Sequence, residues 1–124
     1  MRFGRFGREA QLHGLAAALD GGVLCLYDGP APAVDAAPSP NSSLLAELPI
    51  VPGSLDVREG WLRFSIHAPG TVLGSATWFR VTSADGRIVG DGTVGRTEGD
   101  LVLPINLVQP GAEITVVGAL TVPA

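Results

Sequence analysis

Glycine and proline punctuate this chain from end to end. Among 124 residues there are 17 Gly and 10 Pro, yet 46% of the sequence is hydrophobic. Frequent breakers with little apolar content would mean disorder. With this much apolar content they mean short strands joined by tight turns. The length suits one domain, and a domain of this size buries somewhat over ~60% of its unfolded surface.

The strand pattern is clearest in the middle. In Trp61–His67, Leu62, Phe64 and Ile66 fall on one face, with Trp61, Arg63, Ser65 and His67 on the other. Ala68-Pro69-Gly70 turns the chain. Ser75–Thr82 alternates next, with Thr77, Phe79 and Val81 opposite Ala76, Trp78, Arg80 and Thr82. Ser83-Ala84-Asp85-Gly86 then reads as a hairpin turn, because Asp-Gly accepts the positive φ such turns need. Ile88–Val94 returns, and Gly90 and Gly92 within it suggest a bulge or close packing under Trp78 or Phe79.

Leu101, Leu103, Ile105 and Leu107 also alternate, interrupted by Pro104, which suits an edge strand or a bulge. Glu113–Val122 is the last strand, with Ile114, Val116, Leu120 and Val122 inward. Earlier in the chain, Val23–Tyr27 is apolar on both faces, so it is expected to be central or covered. Leu44–Val51 is extended. Between these lies a polar loop, residues 29–42, carrying Pro30, Pro32, Pro38 and Pro40. The pattern predicts a mainly β fold, an antiparallel β-sandwich of Ig-like or jelly-roll outline.

One helix is expected. Leu12, Leu15, Ala16 and Leu19 form a single apolar stripe over residues 9–19, and Asp20-Gly21-Gly22 ends it. Residues 1–8, Met-Arg-Phe-Gly-Arg-Phe-Gly-Arg, read as a separate N-terminal arm before a domain spanning 9–124, since their glycines discourage a helix. The arm is either a frayed terminus or a docking element, with Phe3 and Phe6 as apolar anchors and Arg2, Arg5 and Arg8 meeting acidic groups.

Composition narrows the function. All eight basic residues are Arg, and the net charge is −4. Either a codon bias or a preference for bidentate interface pairs accounts for the missing lysine. The acidic balance argues against nucleic acid as a partner. No apolar run approaches the ~20 residues of a membrane span, and no signal-peptide pattern follows Met1. The chain is therefore expected to be made in the cytoplasm and to stay soluble or enter an assembly.

Catalytic patterns are sparse. Cys25 sits in an apolar run without an activating neighbour. His13 and His67 lack metal-ligand spacing. Asp85, Asp91, Glu98 and Asp100 do not match a calcium loop. Gly90–Gly95 lacks the Gly-Lys-Ser/Thr ending and the following helix of a phosphate loop. Lacking lysine, the chain has no Schiff-base chemistry. No enzyme activity, cofactor or metal is expected, although a small hydrolase built on an unselected carboxylate pair is a remaining class. Trp61 is either a core residue or a stacking platform for a sugar.

Three blocks carry a family resemblance. Leu26-Tyr27-Asp28-Gly29-Pro30 followed by Leu44-Leu45-Ala46-Glu47-Leu48 is one. Gly74-Ser75-Ala76-Thr77-Trp78-Phe79-Arg80-Val81 through Asp85-Gly86 to Asp91-Gly92-Thr93-Val94-Gly95 is the second and most specific. Asp100-Leu101-Val102-Leu103 with Gly111-Ala112-Glu113-Ile114-Thr115-Val116 is the third. Together they resemble short virion structural proteins of tailed bacteriophages and prophages. The Arg-Phe arm, Pro104 and residues 52–67 depart from the pattern. The resemblance implies a virion component and brings no catalytic residues. A compact β domain with a docking arm suits a head decoration, cement or minor capsid subunit. Its expected partners are the major capsid protein, other virion subunits and further copies of itself. A tail- or fibre-associated module recognising a receptor or carbohydrate is the alternative.

Overall fold

The computed structural model describes residues 4–33 and 35–120. The chain is mainly β with one helix, and its sheets pack as a β-sandwich.

The helix, α1 (Arg5–Leu19), starts four residues before the sequence reading placed it. Residues 5–8 thus belong to the helix and not to a separate arm. The stripe of Leu12, Leu15, Ala16 and Leu19 anchors the helix, with Leu12 and Leu19 buried. Once anchored, each added residue gains a hydrogen bond for little entropy, so the helix propagates back through Gly7. Arg8 N–H donates to Gly4 C=O, and Arg5 reaches Glu9 one turn on at 3.4 Å. At the other end Gly21 takes φ +72°, as a left-handed cap requires. Asp20 accepts a hydrogen bond from Gly53 N–H at 2.7 Å, tying the helix end to a distant loop.

The larger sheet holds five strands. These are β1 (Val23–Tyr27), β2 (Leu44–Pro49), β6 (Trp78–Thr82), β7 (Ile88–Gly95) and β8 (Leu101–Val102), in the order β2-β1-β6-β7-β8. As expected from its apolar sequence, β1 is internal, between β2 and β6. Asp85-Gly86 turns β6 into β7 with Gly86 at φ +86°. Gly92 packs closely under Phe79, as the sequence suggested: a Cβ there would lie 2.3 Å from the ring. Gly90 has open space instead.

The second sheet has three strands, β3 (Asp56–Arg58), β4 (Trp61–Pro69) and β10 (Glu113–Leu120), in the order β10-β4-β3. β3 was not anticipated. A two-residue turn with both Glu59 and Gly60 at positive φ, 56° and 81°, closes its hairpin with β4. That twist matches the twist of the strands it joins. Along β4, burial alternates strictly, with Leu62, Phe64, Ile66 and Ala68 facing inward. The core forms where these residues and Val116 meet Leu24, Leu26, Phe79 and Val81. β3 and β4 also carry α1.

The expectation for residues 101–107 is corrected. They do not make one alternating strand. β8 pairs parallel with β7, so that pair departs from the antiparallel pattern, and β9 (Leu107–Val108) joins β5 (Gly74–Ser75) in a separate ribbon. Pro104 has no N–H to give a ladder and divides the segment. Leu103 N–H donates to Gly95 C=O, whereas Asn106 both accepts from Ala76 N–H at its C=O and donates its side-chain amide to Ala76 C=O. Leu101 and Leu103 are therefore buried, but Ile105 is 84% exposed and Leu107 also stands in solvent.

Candidate functional site

The residues singled out in the sequence fall in three places. Arg2 and Phe3 lie outside the described residues. Arg5, Phe6 and Arg8 lie in the first turns of α1. Phe6 is 87% exposed, Arg5 is exposed, and Arg8 is half-buried. Trp61 begins β4 on the outer face of the three-stranded sheet and is 42% exposed. The core alternative for Trp61 is thereby set aside. Its cross-strand neighbour is Arg58, and Arg63 follows on the same face.

Sequence reading missed the exposed apolar residues at the end of the sandwich. Val72 and Leu73 lead into β5, and Ile105 and Leu107 lie beside β9. Between residues 103–108 and the start of β10 runs a groove of about 410 Å³. Ile105, Leu107, Val108, Glu113, Ile114 and Thr115 are among the residues that line it. The groove holds one charged side chain and is otherwise mostly apolar. Exposed apolar surface of this kind is a common mark of interaction sites. The only sequence signal for it was Pro104.

A second cluster sits on the outer face of the larger sheet. Tyr27 and Trp78 stack with ring centroids 4.3 Å apart and planes 9° from parallel. Arg80 lies over the Trp78 ring at 5.5 Å and makes two bonds to Asp91, from Nε at 2.6 Å and Nη2 at 3.0 Å. Trp78 is only 1% exposed, although it belongs to no part of the main core. The start of the connection that follows β1 is tied to this region. Trp78 Nε1 donates to Asp28 C=O, and Thr77 Oγ1 donates to Gly29 C=O. The bond to Asp91 raises the Arg80 pKa. Burial raises that of Tyr27. Among the described residues, no buried side-chain nitrogen or oxygen is left without a hydrogen-bond partner.

Cys25 is pushed up to about 11, first by burial and then by Glu47, so its thiol stays protonated. His67 lies 2.5 Å from Glu113 on the sheet surface. Three of the acidic residues considered together in the sequence have different partners: Asp91 holds Arg80, Asp100 accepts from Thr93 N–H, and Asp85 contacts Ser83 and Arg87. The hydrogen bond from Ser83 lowers the Asp85 pKa. Among the described residues no group of three or more His, Cys, Asp or Glu could hold a metal ion. Gly90–Gly95 lies within strand β7 and leads into no helix. Among the described residues, no helix is long and apolar enough to cross a membrane.

Comparison of the chain with family models, with curated proteins and with solved structures finds no match.

Proposed function

We propose that this chain is a structural subunit that acts by binding other protein subunits, and that its assembly is the virion of a tailed bacteriophage. In this reading it is a head decoration, cement or minor capsid subunit, partnered by the major capsid protein, and it catalyses no reaction. The observation that carries the reading is the distribution of exposed apolar side chains. Phe6 at one surface and Ile105, Leu107 and Leu73 at another stand in solvent on a rigid sandwich. Polar side chains are meanwhile spent on internal ties such as Arg80–Asp91 and Asn106–Ala76. Interface anchors have this character: large apolar groups with Arg close by. The virion assignment adds the resemblance of the Trp78-Phe79-Arg80-Val81 to Gly95 block.

Trp61 favours a second reading, a tail- or fibre-associated module. An indole 42% exposed between Arg58 and Arg63 offers a face on which a sugar can stack.

Quantitative mass spectrometry of purified particles tests the choice. A head subunit is present in many copies, and particles lacking it lose their genome under osmotic or thermal stress. A few copies at the tail tip support the second reading. Absence from the particle refutes both.

A further inference from the structure

We propose that β10 pairs antiparallel with β10 of a second copy of the chain about a two-fold axis, joining the two three-stranded sheets into one continuous sheet. The inference rests on the reading of the chain as an assembly subunit and goes beyond it by naming the contact.

β10 is an edge strand. Its ladder is with β4, in an unbroken register from Glu113 opposite Pro69 to Leu120 opposite Leu62. That register fixes which backbone groups are left over. Gly70 N–H donates to Ala112 C=O at the head of the ladder, and Pro69 has no N–H to give. Bonded pairs alternate from there, so Ile114, Val116, Gly118 and Leu120 bond to β4. Glu113, Thr115, Val117 and Ala119 aim their N–H and C=O groups away from it. Among the described residues no backbone hydrogen bond reaches those groups.

This edge is unguarded, unlike the others. β2 ends in Pro49, and its Leu45 C=O accepts from Thr71 N–H and Val72 N–H. β3 is three residues long with two charges, and β8 has two residues. β10 runs eight residues without proline or bulge, and Glu113 is its one charge. A long apolar edge of that kind is a template for another strand. The chain's own packing leaves room along it. The groove of about 410 Å³ borders Glu113, Ile114 and Thr115, and a cleft of about 490 Å³ borders Val117, Gly118 and Ala119. Val117 is 70% exposed.

The strand is complementary to its own copy in a register that uses every one of the outward groups. Glu113 falls opposite Ala119 of the second copy, and Thr115 falls opposite Val117 of the second copy. The two-fold repeats both pairs, and each pair exchanges two hydrogen bonds. On the inner face Val116 meets its own copy, and Ile114 meets Gly118, a large side chain against none. Glu113 keeps His67 at 2.5 Å and faces alanine across the axis, so no like charges stand opposite one another. Slipping the strands toward their Glu113 ends brings the two carboxylates together and leaves outward groups unpaired. The contact joins the same patch on both copies, so it is isologous and closes at a dimer.

Light scattering of the purified full chain over a range of concentrations, with amide hydrogen exchange at high and low concentration, tests the proposal. Wild type is expected to reach a dimer and go no further. The amides of Thr115, Val117 and Ala119 are expected to exchange slowly in the dimer and fast after dilution, while those of Val116 and Gly118 stay slow in both. Two double variants test the register: Thr115→Lys with Val117→Lys, and Thr115→Glu with Val117→Glu. Each alone sets like charges opposite one another and is expected to raise the dissociation constant by about tenfold or more. An equimolar mixture of the two is expected to restore the dimer. Melting curves establish folding, and Val117→Lys and Val117→Glu alone replace the double variants if either unfolds. A wild type monomeric throughout overturns the proposal. So does association that leaves the amides of Thr115 and Val117 fast, a folded variant that dimerises as wild type does, or a mixture that does not pair. A monomeric wild type still incorporated in particles, with a strand of another protein on β10, sinks this contact and leaves the subunit reading standing. Dimerisation through β10 by a chain absent from particles does the reverse.

Discussion

Replacing Gly92 with alanine sets a methyl carbon where the Phe79 ring already lies. The added atom would stand 2.3 Å from Cε1 and 2.4 Å from Cζ, with Asp100 Oδ2 at 3.0 Å. Carbon atoms in contact prefer about 3.5–4.0 Å, so ring or strand must shift by more than an ångström. Phe79 is 5% exposed within the main core and cannot swing into solvent. Overpacking of this kind costs about 1–3 kcal/mol. Alanine in a strand recovers about 0.5–1 kcal/mol of backbone entropy relative to glycine. The balance is a net loss of about 1–2 kcal/mol, a fall in melting temperature of at least several degrees. Gly90 is the internal control. It lies two residues away in the same strand, has no atom within 4 Å of an added Cβ and has no positive φ. Gly90→Ala should be neutral or stabilise by up to about 1 kcal/mol. Urea unfolding of both variants, with Phe79→Leu in a double-mutant cycle, measures the coupling. Equal stabilities for Gly92→Ala and Gly90→Ala, or additive effects of Gly92→Ala and Phe79→Leu, would refute the reasoning.

The remaining predictions concern charge and surface. Asp91→Ala leaves Arg80 buried without its carboxylate and should cost about 3–5 kcal/mol in chemical denaturation, whereas Arg80→Met with Asp91→Leu should recover most of it; equal losses would show that the pair is not the cause. Cys25 should resist alkylation at pH 8 in the native state and react rapidly once unfolded, because its pKa is raised from 9.0 to about 11. A raised thiol pKa favours the folded state while the thiol is neutral, so wild type should lose stability relative to Cys25→Ala as pH climbs from about 9 to about 11. Flat relative stability across that window contradicts the assignment. Phe6→Asp and Ile105→Asp, being exposed, should change stability by no more than about 0.5 kcal/mol; a large drop in melting temperature would place those residues in the core.

The strands were legible wherever one face meets the core and the other meets water. Trp61–His67 alternates in sequence and in burial because β4 is solvated on one side. The hairpin at Asp85-Gly86 and the close packing at Gly92 were legible through glycine, whose placement follows from a positive φ in one case and a neighbouring ring in the other. β3 was not, since three residues with two charges, Asp56-Val57-Arg58, carry no period. Leu101–Leu107 misled because alternation reports only a local pattern. The asparagine that pins Ala76 lies thirty positions from its partner, and no local pattern encodes that distance. The same segment supplies the groove, so the candidate site was the least visible part of the chain. Helix α1 was seen by its buried stripe but not by its exposed first turn, where only propagation from the stripe carries it past Gly7. Trp78 and Arg80 read as the outward face of a strand. Trp78 is held between Tyr27, Arg80 and the Asp28 carbonyl, and Arg80 by Asp91, tertiary contacts with no local sign in the alternation.

An image of the intact particle at side-chain resolution addresses the claim that this molecule works through its outer surfaces. The account calls for repeated density of the two-sheet sandwich, with its exposed apolar side chains, Phe6 at one surface or Leu73, Ile105 and Leu107 at another, against neighbouring subunits. Particles complete in every other component and lacking this density would contradict it.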